Sequence, residues 1–181
     1  MRVFVALKLP NQTKDNLARS AEQMKHFATQ GNFVATENYH LTLHFLGEVA
    51  ENDLIYVQSA MDGVKNCVAP QLALQQFTIL RGGDVVCAKV RQKNDALTNL
   101  HDKLGAMLES HNFDVEHRAY RPHITLIRKY KFSLPFSEVT KNVDVFNLPF
   151  FATDLVLYQS VFDKDGVHYK ELYCVNLKAE E

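Results

Sequence analysis

The sequence predicts an α+β fold built mainly from antiparallel sheet, with helices packed outside it. Three observations carry this expectation. Two segments near the chain's middle and end read as β-hairpins, which close antiparallel pairs directly. Helical patterns fall between strands and hairpins in an order that a purely parallel α/β sheet does not produce. An internal echo also runs through the chain: strand, helix and strand with His-x-Thr near the start, then hairpin, helix and strand with His-x-Thr in the middle. Two similar lobes sharing one sheet system would explain the echo.

Taken in order, Arg2–Leu9 alternates, with Val3, Val5, Leu7 and Leu9 on one side and Arg2, Phe4, Ala6 and Lys8 on the other. That is strand patterning. Pro10-Asn11 breaks it, and Leu17, Ala21, Met24 and Ala28 then recur at helical spacing, with Gly31-Asn32 expected to end the helix. A strand is predicted over about Tyr39–Leu46. A second helix shows Leu54, Val57, Met61 and Val64 on one face. Leu72–Leu80 and Val85–Val90 flank Arg81-Gly82-Gly83-Asp84 as a hairpin. A third helix carries Leu97, Leu100, Leu104 and Met107 and stops near Asn112. The strand His123–Ile127 follows, and Leu155–Phe162 with His168–Leu177 around Asp165-Gly166 form a closing hairpin.

The chain has 181 residues, 46% apolar and 23% charged, with a formal net charge of −1. That length suits one well-buried core, and no linker divides the chain, so residues 1–181 read as a single domain. The charge balance argues against coating polyanionic nucleic acid by bulk attraction, though not against local grip on one phosphate. Three scattered cysteines, Cys67, Cys87 and Cys174, give no disulfide framework and point to a reducing compartment. The opening reaches Lys8 and Pro10 too early for a signal peptide, and no stretch nears a membrane span, so a cytoplasmic protein without an anchor is expected.

The chemistry concentrates in His40-Leu41-Thr42-Leu43 and His123-Ile124-Thr125-Leu126. On a strand, each His shares a face with its Thr while the apolar pair points into the core. Composition alone gives about 0.08 accidental matches to His-apolar-Thr-apolar, so two matches separate these histidines from tolerated strand residues. A metal site is disfavoured. His40 and His44 are expected on one face but about 13 Å apart, too far to share an ion. Two imidazoles across a cleft suit in-line phosphoryl chemistry: one neutral ring takes a proton from water, and one protonated ring gives a proton to the leaving oxygen. Thr hydroxyls can donate to non-bridging phosphate oxygens. That arrangement calls for no cofactor.

These motifs with their flanks, His40-Leu41-Thr42-Leu43-His44-Phe45-Leu46-Gly47-Glu48 and Arg121-Pro122-His123-Ile124-Thr125-Leu126-Ile127-Arg128, resemble the 2H phosphoesterase superfamily. More narrowly, they resemble the bacterial RNA 2′,3′-cyclic phosphodiesterases, the LigT-like or 2′-5′ RNA ligase proteins. The opening Arg2-Val3-Phe4-Val5-Ala6-Leu7 and Leu157-Tyr158-Gln159-Ser160 extend the resemblance over nearly the whole chain. It implies a bilobal LigT-like fold with two pseudo-symmetric lobes and a central cleft. The implied reaction is metal-independent hydrolysis of RNA 2′,3′-cyclic phosphodiester ends to 2′-phosphomonoesters. His40 is then the proton donor, His123 the proton acceptor, and Thr42 and Thr125 the phosphate contacts. RNA with such an end, or a related nucleotide, is the implied partner.

Arg128 could add a cation to the phosphate site. At His123+5, regular strand parity points it away, and a bulge would be needed to return it. Phe4 could stack a base or belong to the core. Arg118 and Arg121 could hold RNA backbone or be solvated loop cations, and Tyr120, Tyr158 and Tyr169 are candidates for the cleft rim. Two alternatives to hydrolysis stay open: 2′-5′ RNA ligation by the same acid–base pair, and an RNA-end or nucleotide-binding module with little turnover.

Overall fold

The computed structural model describes residues 1–180, with Arg81 by its backbone alone. It places nine strands in two antiparallel sheets. The first has the order β3-β1-β8-β9, from β3 (His40–Glu48), β1 (Arg2–Lys8), β8 (Asp154–Asp163) and β9 (Gly166–Asn176). The second has the order β2-β6-β5-β4-β7, from β2 (Ala28–Phe33), β6 (His123–Phe132), β5 (Val85–Gln92), β4 (Gln71–Leu80) and β7 (Phe150–Phe151). Helices α1 (Asn11–Lys25), α2 (Leu54–Asp62), α3 (Ala96–Ser110) and α4 (Phe136–Lys141) complete the fold. This is the α+β fold of mainly antiparallel sheet that the sequence predicts, but each lobe has its own sheet where the echo suggested lobes sharing one sheet system.

The echo has a structural form. In each sheet the motif strand pairs antiparallel with the strand that precedes its helix: β3 with β1 around α1, and β6 with β5 around α3. A hairpin then extends each sheet. Apolar side chains from both sheets and from α1, α2 and α3 share a contiguous core that includes Leu7, Leu17, Leu41, Leu72, Leu104, Ile124 and Leu155. Burial of these side chains is the main force holding the lobes together.

Several boundaries differ from the sequence-based reading. α1 ends at Lys25, and Ala28 and Gly31-Asn32 lie in β2, an edge strand paired to β6. Its sequence, Ala-Thr-Gln-Gly-Asn-Phe, has no apolar alternation, so only its partner declares it a strand. Gly31 is there for space: a Cβ would come within 3.0 Å of Ile127 Cγ2. The short α4 and β7 also escape the sequence pattern. β6 runs five residues past Ile127, whereas α3 does stop before Asn112, which takes a left-handed φ of 63°.

Candidate active site

Both motif strands carry the same irregularity. In β3, Val5 of β1 lies opposite His44 and Ala6 opposite Thr42, so Leu43 is an extra residue. In β6, Val86 of β5 lies opposite Ile127 and Cys87 opposite Thr125, so Leu126 is extra. A one-residue bulge reverses the side-chain alternation beyond it. Leu43 and His44 are therefore both buried, as are Leu126 and Ile127. His40 and Thr42 share one half-buried face, as do His123 and Thr125.

The bulge corrects two expectations. His44 does not share the face of His40. It turns inward, is 4% exposed, and donates from Nε2 to the His101 carbonyl on α3 at 2.8 Å. Arg128, by contrast, regains the face of His123 and Thr125, which unbroken parity denies it. Its charge acts on both His40 and Tyr169.

The two histidines are held by one device. His40 Nδ1 lies 2.7 Å from the Asn38 carbonyl, and His123 Nδ1 lies 2.7 Å from the Arg121 carbonyl, each two residues upstream. A carbonyl only accepts, so Nδ1 carries the proton and Nε2 holds the lone pair in each neutral ring. In His40, Nε2 accepts from the Thr42 hydroxyl at 3.0 Å. The motif strands belong to different sheets but run against each other. Tyr120, just ahead of β6, donates from Oη to the Thr42 carbonyl at 2.9 Å and ties one motif to the other.

The walls differ. His40 packs against Phe4 and Tyr169, with ring centroids 4.8 and 5.0 Å away, and Tyr158 lies at 6.2 Å. This burial is the main reason its pKa is lowered from 6.5 to about 4; the Asn38 carbonyl opposes the shift, and the charges of Arg128, Lys14 and His123 add to it. Burial likewise raises the phenols of Tyr158 and Tyr169 and lowers the Lys14 ammonium. Phe4 is 3% exposed, covered by His40, Tyr158 and Tyr169. It forms the wall behind His40 and offers no open face to a base. A cavity of about 280 Å³ opens beside His40, lined by Lys8, Lys14, Tyr158, Tyr169 and Glu171 among others.

Comparison with known proteins shows what this geometry is similar to. Residues 7–83 match the family described as LigT like Phosphoesterase, a span that includes the first motif and ends before the second. The RNA 2′,3′-cyclic phosphodiesterase of Escherichia coli K12 is 28% identical over 94% of this chain and 93% of its own length. That of Geobacillus stearothermophilus is 27% identical over 89% of this chain, which spans about half, 52%, of that relative's length. The crystal structure of E. coli LigT complexed with 3′-AMP superposes with a TM-score of 0.81 at 27% identity, covering 97% of both chains and so both motif strands. The chain is thus similar to LigT-like phosphoesterases in the sequence of its first part and in its whole fold.

A second cavity, about 440 Å³, lies behind β3 and touches neither motif histidine. Its lining includes a stack that sequence reasoning did not find: the His44 and His101 rings lie 4.3 Å apart, and His101 and Tyr120 4.1 Å apart. The stack props the bulged part of β3 from the rear. Gly105 makes room for it, since a Cβ there would lie 3.1 Å from His44 Cε1. Arg118 is exposed and paired with Glu116, while Arg121 serves through its backbone carbonyl. Among the described residues, no three His, Cys, Asp or Glu side chains gather as a metal-binding group, and no helix is long and apolar enough to cross a membrane.

Proposed function

We propose that this protein, as one bilobal 2H phosphoesterase domain spanning residues 1–181, hydrolyses RNA 2′,3′-cyclic phosphodiester ends to 2′-phosphomonoesters without a metal. The observation that carries this reading is the pair of motif histidines, each fixed through Nδ1 to a backbone carbonyl so that Nε2 is the working atom. Water loses a proton to His123 and adds to phosphorus, the bond from phosphorus to the 3′ oxygen breaks, and His40 protonates the departing oxygen. Thr42 and Thr125 donate to the non-bridging oxygens, and Arg128 holds the developing charge. The relatives' names support the reaction class.

One observation bears on the division of labour. Burial keeps His40 neutral at neutral pH in the free protein, so its donor role requires the bound phosphate anion to raise its pKa. The reversed assignment uses the neutral ring directly as the base. A substrate with a nitrophenolate leaving group needs no acid, so it rescues whichever His→Ala variant has lost the donor.

The decisive experiment incubates the protein and EDTA with an RNA bearing a 2′,3′-cyclic phosphate and maps the product ends. A 2′-phosphate formed in EDTA is the expected outcome. A 3′-phosphate product or a requirement for added metal overturns the mechanism, and binding without turnover overturns the enzymatic reading.

A further inference from the structure

Lys14 is a cation with little to balance it. It stands in the first turn of α1, where the positive end of the helix dipole disfavours it, and no acidic residue shares that turn. Its side chain is half-buried, and its ammonium is repelled by Lys8. Nζ donates to the Glu37 carbonyl at 3.0 Å, but among the described residues no carboxylate lies within ion-pair distance of it. Lys8, by contrast, is matched by Glu171 at 2.7 Å.

Lys14 lines the cavity of about 280 Å³ beside His40, together with Tyr158 and Tyr169. Neither tyrosine hydroxyl has a hydrogen-bond partner among the described residues. Burial keeps both phenols protonated and so able to donate. The cavity therefore gathers a cation without a paired counter-charge and two uncommitted donors, a set that suits an oxyanion such as a phosphate. It is also coupled to the site, since the charge of Lys14, like that of Arg128, acts on His40.

Position decides which phosphate. In the proposed hydrolysis water enters on the His123 side and the 3′ oxygen leaves on the His40 side, so the ribose of the terminal nucleotide lies beside His40. The next anionic group along that ribose is on its 5′ carbon, where an RNA end carries the linkage to the preceding nucleotide. We propose that the cavity beside His40 is a second phosphate site, in which Lys14 and the hydroxyls of Tyr158 and Tyr169 hold the phosphate on the 5′ side of the terminal nucleotide. The inference rests on the proposed hydrolysis with His40 as donor, and it makes RNA ends better substrates than bare nucleoside cyclic phosphates.

The test measures kcat/KM for three substrates: a nucleoside 2′,3′-cyclic phosphate, the same compound with a 5′-phosphate, and a dinucleotide with the same cyclic end. It uses the wild-type protein, Lys14→Gln, Lys14→Arg and, as a control, Lys25→Gln, which removes an exposed cation at the other end of α1. The wild type is expected to favour both substrates that carry the 5′-side phosphate. In Lys14→Gln that preference falls about tenfold, mainly through KM, the scale of one hydrogen bond between charged groups. Lys14→Arg keeps the preference, and Lys25→Gln does not move it. Equal losses on all three substrates in Lys14→Gln would mean that Lys14 only sets the charge around His40, and they overturn the site, as does an active wild type without the preference. A preference confined to the free 5′-phosphate overturns the RNA linkage as the occupant. A wild type inactive on all three substrates overturns the proposed hydrolysis instead.

Discussion

The two motif strands share a backbone but present different chemistry. β3 and β6 each have a His and a Thr two residues apart, an extra leucine after the Thr, and a histidine Nδ1 tied to a carbonyl two residues upstream. Beyond the bulge they diverge. Where β3 carries His44 inward and Phe45 outward, β6 carries Ile127 and Arg128. The ring of His40 sits behind three aromatic side chains, and its Nε2 accepts from its own Thr. Of the charges that act on this ring, the largest, that of Arg128, comes from the other strand. Symmetry therefore gives the two imidazoles the same tether, and the departures from symmetry give them different surroundings.

The largest expected effect tests the shared half of this comparison. His40→Ala and His123→Ala should each lower turnover of a cyclic-phosphate RNA by about 10²–10⁴, since each removes a proton-transfer group. Steady-state kinetics checks it, and a variant within a few-fold of wild type would break the pairing. Arg128→Met tests the unshared half. A loss of about 10² in kcat/KM is expected, the scale of one removed transition-state donor. A negligible loss would show that the bulge does not aim Arg128 at the phosphate.

The bulge residues should behave alike in stability. Leu43 is 5% exposed and Leu126 is fully buried, so replacing either by Ala should cost about 2–5 kcal/mol, more at Leu126. Denaturant titration measures both. The smallest effect concerns acid. His40 titrates near 4 when folded and near 6.5 when unfolded. Between those values the unfolded chain binds more protons, so stability falls as pH drops from about 6.5 to about 4, by at most about 3 kcal/mol. Burial lowers the pKa of His44 as well, adding to the loss. His40→Gln should flatten part of that slope in melts taken across the window. An unchanged slope would mean that His40 is not desolvated as its aromatic wall implies.

The sequence by itself determined the residue types and their spacing. Alternation on β1, the hairpin turns at Gly82-Gly83 and Asp165-Gly166, and the helical periods of α1 to α3 are local signals, because each depends on side chains within one element. The two His-x-Thr segments were legible for the same reason. What lay beyond reach depended on partners distant in the chain. β2 is a strand because β6 pairs with it. Phe4 became a wall because β1 is central in its sheet, with β3 and β8 on either side and both its faces covered. His44, Phe45 and Arg128 point where they do because pairing with β1 and β5 leaves a leucine over after the Thr of each motif, Leu43 and Leu126. A bulge has no reliable mark in composition: it arises from the register of two strands, and only the packed tertiary structure sets that register.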